Sequence, residues 1–350
     1  MKVSVIIVGF GLSGLSIAEQ FRNNNLPFII LDSPVKGASQ CAAGVYNPTI
    51  LKRYTMSWEG PALLKKAQPF YKKLESELGA QILHPLPIAR IFSSVAEQNQ
   101  WMEAADKNQF QSYLTPEINT VDSNGVNSPF GFGEVKGVGR LDIPKLLSHY
   151  INILLSPLEY RQEEFEYAQL ENRTNGIYYK GIEASHIIFC EGARMIHNPF
   201  FNKLPLKGSH GDMFKIKASG IDRKRIWKSR LFLVPQEQDC FWVGASFHNH
   251  FKEPIPTPKG KEWLESHLEK LIKVPYTLLE HQGQVRPTVV DRRPLLGTHP
   301  HYQHMHILNG MGSRGVITAP QMGAYLFDHI FKKTPLPENI SITRFAANKC

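Results

Sequence analysis

The first 32 residues contain two apolar runs separated by a glycine-rich stretch. Residues 3–8 form an unbroken run of mostly β-branched residues, which predicts a strand buried on both faces. Small and apolar residues recur at helical spacing over residues 12–21, and residues 28–31 form a second apolar run. The pattern predicts a strand, a helix and a second strand at the start of the chain.

The rest of the chain alternates between helical and strand-like patterns. Helices are predicted at residues 58–78, from Asp142 as an N-cap to about residue 155, at 259–273 and from Val316 onward. Buried strands are predicted at 88–93, 187–193 and 307–309, and antiparallel strands at 213–216, 231–235 and 241–247. Residues 95–130 are polar, with an Asn124-Gly125 turn, and are expected to form strands and loops.

Three glycines follow the first strand at GxGxxG spacing, and an acid ends the second apolar run. Gly9 allows a tight turn, Gly11 leaves room for a pyrophosphate, and Gly14 lets the helix pack close to the strand. The free N–H groups at the helix start favour phosphate, and Asp32 can accept hydrogen bonds from ribose hydroxyls. This context predicts dinucleotide binding; the alternative is a glycine-rich turn in another α/β fold.

Composition adds few constraints. The chain has 350 residues, 42% hydrophobic and 20% charged, which suffices for two domains. The sequence contains no run of about 18 apolar residues, so no membrane span is predicted. The four cysteines have no CxxC spacing, so we expect no metal, no disulfide framework and a cytoplasmic location. The formal charge of +9 indicates either solvated basic faces or an anionic partner such as nucleic acid.

A segment of small residues after Asp32 carries a family resemblance. The pair Ala38-Ser39, then Ala42-Ala43-Gly44 and Pro48, resembles the D-amino-acid oxidase and glycine oxidase family of FAD enzymes. In that family the segment forms a small-residue helix beside the flavin, where small side chains leave room for the ring. The resemblance implies non-covalently bound FAD.

A second glycine-rich turn, Gly310 to Gly315, follows a predicted strand and precedes a predicted helix. It resembles the C-terminal FAD block of the same family, and its Gly-Ser-Arg-Gly part resembles the FAD domain of the bifunctional enzymes that modify wobble uridine in transfer RNA. A helix N-terminus here would stabilise negative charge on the flavin. The FAD contacts implied by motif and resemblance are Gly9, Gly11, Leu12, Ser13, Gly14, Asp32, Ser33, Ala38, Ser39, Ala42, Ala43, Gly44, Gly192, Gly312, Ser313, Arg314, Gly315 and Val316.

Two arginines are the candidate catalytic residues. Arg286, followed by Pro287, matches the glycine oxidase arginine that binds the substrate carboxylate, a task that suits a planar guanidinium. Arg314 could contact substrate, flavin or a phosphate. Phe232 falls where glycine oxidase has a tyrosine, so one donor to a carboxylate is missing. The alternative for Arg286 is a structural ion pair.

The resemblance implies an α/β (α+β overall) fold with a Rossmann-like FAD-binding domain and a mixed antiparallel-sheet substrate domain. The expected FAD domain comprises residues 1–88, 137–207 and 285–350, and the substrate domain 89–136 and 208–284. The implied activity is oxidation of the C–N bond of an amino acid or N-substituted glycine to an imine by hydride transfer to flavin N5. The alternatives are oxidation of the carboxymethylaminomethyl side chain of transfer RNA wobble uridine, and flavin binding without turnover.

Overall fold

The computed structural model describes residues 1–120, 125–248 and 253–348, with side chains described as far as residue 345. The helices in these ranges are α1 (Leu12–Asn23), α2 (Ala38–Cys41), α3 (Gly60–Leu78), α4 (Val95–Ala105), α5 (Ile143–His149), α6 (Pro258–Leu271) and α7 (Gly315–Phe331). The strands up to residue 189 are β1 (Lys2–Val8), β2 (Phe28–Asp32), β3 (Val45–Tyr46), β4 (Thr49–Ile50), β5 (Thr55–Met56), β6 (Leu83–Pro85), β7 (Ile88–Ile91), β8 (Phe132–Val135), β9 (Gly139–Leu141), β10 (Tyr160–Gln162), β11 (Leu170–Arg173), β12 (Gly176–Tyr179) and β13 (Ile182–Phe189). The later strands are β14 (Ser209–Lys217), β15 (Ile226–Lys228), β16 (Phe232–Pro235), β17 (Cys240–Gly244), β18 (Thr277–Arg286), β19 (Leu295–Thr298) and β20 (Met305–Asn309).

The first sheet is built around β1. Strands β10, β2, β1, β13 and β20 lie side by side and parallel, while β19, β12 and β11 join them in antiparallel pairs. Val5 and Ile7 of β1 lie on the sheet face covered by α1, α3 and α7, and Ile6 lies on the opposite face in a cluster that includes Met195 and Phe201. Because side chains alternate along a strand, an unbroken apolar run supplies both cores.

The second sheet has the order β18-β14-β17-β16-β15-β7-β8, antiparallel except for the β15–β7 pair. Helix α6 packs on it: Leu264 and Leu268 are buried with Phe214 and Phe241 of the sheet. Short sheets, β3-β9-β6 and β4-β5, lie between these larger parts in sequence. The mixed α/β fold predicted from the sequence is confirmed.

The helix and strand predictions agree with these bounds in most places, but the prediction for one segment was wrong. Residues 95–130 were expected to form strands and loops, but α4 begins there. Ser94 caps that helix by accepting the N–H of Glu97 at 3.2 Å, and Trp101, Ala104 and Ala105 form its buried face. The family's small-residue helix is here the single turn α2. Asn124 and Cys350 lie outside the described residues.

Candidate functional site

The first glycine-rich turn connects β1 to α1. Gly9 has φ +95°, which favours glycine, and a Cβ on Gly14 would lie 2.1 Å from the carbonyl oxygen of Gly9. The helix start therefore touches the turn directly. The first N–H groups of α1 have no partner within the helix. One of them, that of Leu12, donates to the Ser39 hydroxyl of α2 at 3.2 Å. The remaining donors and the helix dipole suit a phosphate.

Asp32 lies at the end of β2, next to this turn. Its Oδ1 accepts the N–H of Phe10 at 2.8 Å, and its Oδ2 accepts the Tyr160 hydroxyl at 3.3 Å. Burial raises the pKa of Asp32, against the opposing effect of these two hydrogen bonds. The carboxylate thus ties β2, the glycine turn and β10 together. The following Ser33 bonds to Glu164 at 2.8 Å and to Arg194.

The second glycine-rich turn leads from β20 into α7. Gly310 and Gly312 have φ +77° and +58°, and α7 begins at Gly315. A Cβ on Gly315 would lie 3.2 Å from Leu12 Cδ1, so the starts of α1 and α7 adjoin. The Tyr71 hydroxyl of α3 donates to the Val316 carbonyl oxygen at 3.0 Å and fixes the first turn of α7. Two helix N-termini from opposite ends of the chain therefore meet at one place.

A cavity of about 830 Å³ opens along both turns. The predicted cofactor contacts line it, apart from Gly14, which lies behind the turn. The lining set comprises Gly9, Gly11, Leu12, Ser13, Asp32, Ser33, Ala38, Ser39, Ala42, Ala43, Gly44, Gly192, Gly312, Ser313, Arg314, Gly315 and Val316. A Cβ at Gly11 would meet the Ser39 hydroxyl at 2.8 Å, so a side chain here would displace the hydroxyl that accepts the Leu12 N–H. The donor set and the narrow glycine wall fit a dinucleotide cofactor.

Arg286, at the end of β18, lines the same cavity. Its Nη1 has only long contacts, to the carbonyl oxygens of Ser209 at 3.5 Å and His210 at 3.4 Å, and the guanidinium lies 6.0 Å from the Phe247 ring centre. Burial lowers the pKa of Arg286, and no acidic side chain in the described chain pairs with it. A guanidinium placed this way can bind an anion in the cavity.

Arg314 lies in the second glycine turn, and its guanidinium is already engaged. Its Nη1 donates to the Asn47 carbonyl oxygen and its Nη2 to the Thr49 carbonyl oxygen at 2.9 Å. Burial lowers the pKa of Arg314 to about 10. These contacts connect α7 to the chain between β3 and β4. Arg314 thus lines the cavity while bridging two distant segments.

Several cavity residues were not identified from the sequence. Glu191 is held by the Tyr167 hydroxyl and by Asn198 Nδ2 at 2.7 Å, and burial raises its pKa to about 7. Asn309 Nδ2 donates to the Gly192 carbonyl oxygen at 2.9 Å. Lys228 belongs to the basic stretch at residues 223–230, for which the sequence left both a solvated surface and an anionic partner open, and it lines the cavity beside Phe232. The signal that could have found it is its place at the end of an apolar strand.

The fold and cavity define a nucleotide-cofactor protein of the α/β class. The family model described as FAD dependent oxidoreductase matches residues 4–329. The chain therefore belongs to the FAD dependent oxidoreductase family, and FAD is its cofactor. The predictions of this family, of FAD and of an oxidoreductase enzyme are confirmed by the match.

Solved structures share the whole fold at low sequence identity. Glycine oxidase from Geobacillus kaustophilus superimposes with a TM-score of 0.80 at 17% identity, covering 98% of this chain and 99% of that one. Iminodiacetate oxidase from a Chelativorans species gives a TM-score of 0.79 at 17% identity, covering 96% and 99%. At this identity the similarity establishes the fold alone.

Curated relatives are bifunctional proteins named for biosynthesis of 5-methylaminomethyl-2-thiouridine in transfer RNA. The protein from Marinobacter nauticus is 22% identical over 357 residues, covering 93% of this chain and 55% of the relative. The protein from Legionella pneumophila is 22% identical over 393 residues, covering 99% and 58%. The chain thus spans little more than half the length of these relatives. Among the residues that the structure describes, none of the helices combines the length and the hydropathy of a membrane span.

Proposed function

We propose that this oxidoreductase oxidises the C–N bond of an amino acid or N-substituted glycine, with Arg286 as the carboxylate anchor. The observation that carries the proposal is the Arg286 guanidinium on the cavity wall, which has two long carbonyl contacts and no acidic partner within the described chain. A carboxylate would give it a bidentate, charge-assisted pair. A structural arginine would already be fully engaged, as Arg314 is by the carbonyl oxygens of Asn47 and Thr49.

The chain's own groups divide the work. The glycine turns and Asp32 hold FAD, which supplies a two-electron acceptor for the substrate's α C–H hydride. Arg286 fixes the carboxylate and thereby orients the carbon to be oxidised. Phe232 and Trp242 line the cavity and exclude water, and the Trp242 Nε1 donates to the Cys41 carbonyl oxygen at 2.9 Å, which holds the indole in place. No side chain is assigned as an obligatory base.

We extend this proposal to the domain division. Residues 1–88, 137–207 and 285–350 would form the FAD-binding domain, and residues 89–136 and 208–284 the substrate domain. Strand β8, strands β14 to β17 and most of β7 and β18 fall in the second group. The bound FAD would be non-covalent, and a cytoplasmic location stays a prediction.

A second candidate function is oxidation of the carboxymethylaminomethyl side chain of wobble uridine in transfer RNA. It is favoured by the relatives from Marinobacter nauticus and Legionella pneumophila, whose names refer to transfer RNA modification. The same Arg286 anchor would serve, because that side chain is itself an N-substituted glycine. The net charge of +9 is compatible with a polyanionic substrate.

The test is anaerobic bleaching of the bound flavin. N-methylglycine and its decarboxylated analogue dimethylamine are compared in wild type, Arg286→Ala and Arg286→Lys, with Arg173→Ala on the exposed hairpin as control. Loss of the charged pair costs about 1.5–3 kcal/mol, so Arg286→Ala should lower kcat/KM for N-methylglycine roughly tenfold to hundredfold. The kcat/KM for dimethylamine should stay close to that of wild type. Lysine should rescue only in part.

Equal losses for both amines at unchanged FAD content would contradict the anchor role. Bleaching by transfer RNA that carries the carboxymethylaminomethyl group, without bleaching by free amines, would favour the second candidate. No bleaching by any amine, amino acid or modified transfer RNA would overturn the proposed function.

A further inference from the structure

Lys228 is a half-buried lysine whose amine lines the same cavity as Arg286. Its Nζ donates to the carbonyl oxygens of Ser229 at 2.9 Å and Arg230 at 3.1 Å, and it lies 4.5 Å from the centre of the Phe232 ring. In the part of the chain that the structure describes, no carboxylate forms an ion pair with it. Two of its three donors are used, and an anion could take the third.

The charges around Lys228 come from four neighbouring segments. Arg90 of β7 is paired with Glu97 of α4, while Arg230 follows β15 and Lys52 follows β4. Burial and, to a smaller extent, the three cations lower the pKa of Lys228 to about 7, while Glu97 acts in the opposite direction. Positive charge is thus in excess, so a bound anion would be stabilised and would favour the charged amine.

The second sheet gives the cavity two separated cations. Lys228 ends β15 and Arg286 ends β18, with β16, β17 and β14 between them. Four strand spacings of about 4.8 Å therefore separate their strands, and the pairing registers place Lys228 across from Gln282, which lies on the same face of the sheet as Arg286. The described residues that these strands place on the cavity wall include no acid. A ligand with an anionic group at each end is complementary to this wall.

We propose that Lys228 is a specificity-determining residue that binds a second carboxylate, carried on the N-substituent of an N-substituted glycine. The inference rests on the proposed function, in which Arg286 holds the glycine carboxylate. The occupant is a small dicarboxylic secondary amine. In the empty cavity the amine of Lys228 is charged only below its pKa. Above that pH, binding of the second carboxylate must be accompanied by protonation of the amine, so the binding should weaken as the pH rises.

The experiment compares matched substrates on the holoenzyme by anaerobic flavin reduction. N-(2-carboxyethyl)glycine and N-(3-carboxypropyl)glycine are each paired with the N-alkylglycine of equal chain length, and the preference is the ratio of their kcat/KM values. Wild type should prefer a dicarboxylate at least tenfold at pH 6.5, with the preference declining above about pH 7. Both members of a pair share the titrating amine, so its ionisation largely cancels in the ratio.

The variants separate charge from structure. Lys228→Met should bring the preference close to one, while Lys228→Arg should retain it and remove its decline with pH, since arginine stays charged. Lys224→Met, an exposed lysine in the preceding loop, should leave the preference unchanged. A preference equal in wild type and Lys228→Met would overturn the proposal. The proposal would also be overturned if Lys228→Met left the dicarboxylate preference unchanged and abolished only the inhibition by a short single-stranded RNA. The anion bound by Lys228 would then be a nucleic-acid phosphate.

A second measurement keeps this inference distinct from the proposed function. If no substrate reduces the flavin, the proposed function fails, and binding of inert glutarate and butyrate is then followed through the visible spectrum of the bound flavin. Tighter binding of glutarate that Lys228→Met abolishes and Lys228→Arg preserves supports the second anion site. Equal binding in wild type and Lys228→Met overturns it.

Discussion

Asp32 offers a prediction whose size follows from its contacts. The carboxylate accepts the N–H of Phe10 at 2.8 Å inside the glycine turn and the Tyr160 hydroxyl at 3.3 Å. Asp32→Ala removes the acceptor that orders the turn and the acceptor proposed for a ribose hydroxyl. A hydrogen bond to a charged group contributes about 1.5–3 kcal/mol, so the dissociation constant of FAD should rise by roughly tenfold to a hundredfold.

Two further variants divide this effect. Asp32→Asn keeps an oxygen for the Phe10 N–H but loses the charge, so its FAD affinity should lie between those of wild type and Asp32→Ala. Tyr160→Phe removes only the 3.3 Å bond and should cost about 0.5–1.5 kcal/mol or less. The assay is titration of the apoprotein with FAD, followed by quenching of flavin fluorescence, with thermal unfolding of each apoprotein as the control for folding.

The reasoning would be refuted if Asp32→Ala bound FAD within about twofold of wild type. It would also be refuted if Tyr160→Phe weakened binding as much as Asp32→Ala, because the ring and not the carboxylate would then position the cofactor. A fall in affinity matched by unfolding of the apoprotein would assign Asp32 to the fold instead.

The remaining predictions concern packing and acid stability. Gly14→Ala places a Cβ 2.1 Å from the Gly9 carbonyl oxygen and should lower the free energy of unfolding by about 1–3 kcal/mol with loss of FAD, whereas Gly37→Ala, with open space, should not lower it; equal denaturation midpoints would contradict this. A ring nitrogen of His186 hydrogen-bonds to a ring nitrogen of His306 at 3.0 Å; burial lowers the pKa of His186 to about 4 and holds the pKa of His306 well below its usual value. Because both pKa values lie below the unfolded value of about 6.5, stability should be full above that pH and fall below it, by up to about 1.4 kcal/mol per pH unit for each histidine. Between pH 7.5 and pH 5, urea unfolding should show a smaller loss of unfolding free energy in His186→Asn than in wild type or the exposed control His197→Asn. Identical losses in all three proteins would exclude the histidine pair as the cause.

The sequence alone determined the two glycine-rich turns and the elements around them. Such turns are local: Gly9 needs a left-handed backbone, and Gly14 must pack on the turn five residues before it. Apolar runs likewise specify buried strands from neighbouring residues alone. Steric requirements of this kind act within one βα unit, so the pattern predicts the elements and dinucleotide binding, whereas FAD followed from the family resemblance.

Tertiary structure decided which polar groups are free and which are engaged. The sequence predicts Arg314 as a cavity contact, and it lines the cavity; only the fold shows that its guanidinium also bonds to the carbonyl oxygens of Asn47 and Thr49, more than 260 residues away in the chain. The sequence does not distinguish Lys228 from the other basic residues near it. Only the position of β15 in the second sheet places it on the cavity wall. The physical reason is that desolvation and hydrogen-bond partners depend on which segments the fold brings together, and no local pattern records that.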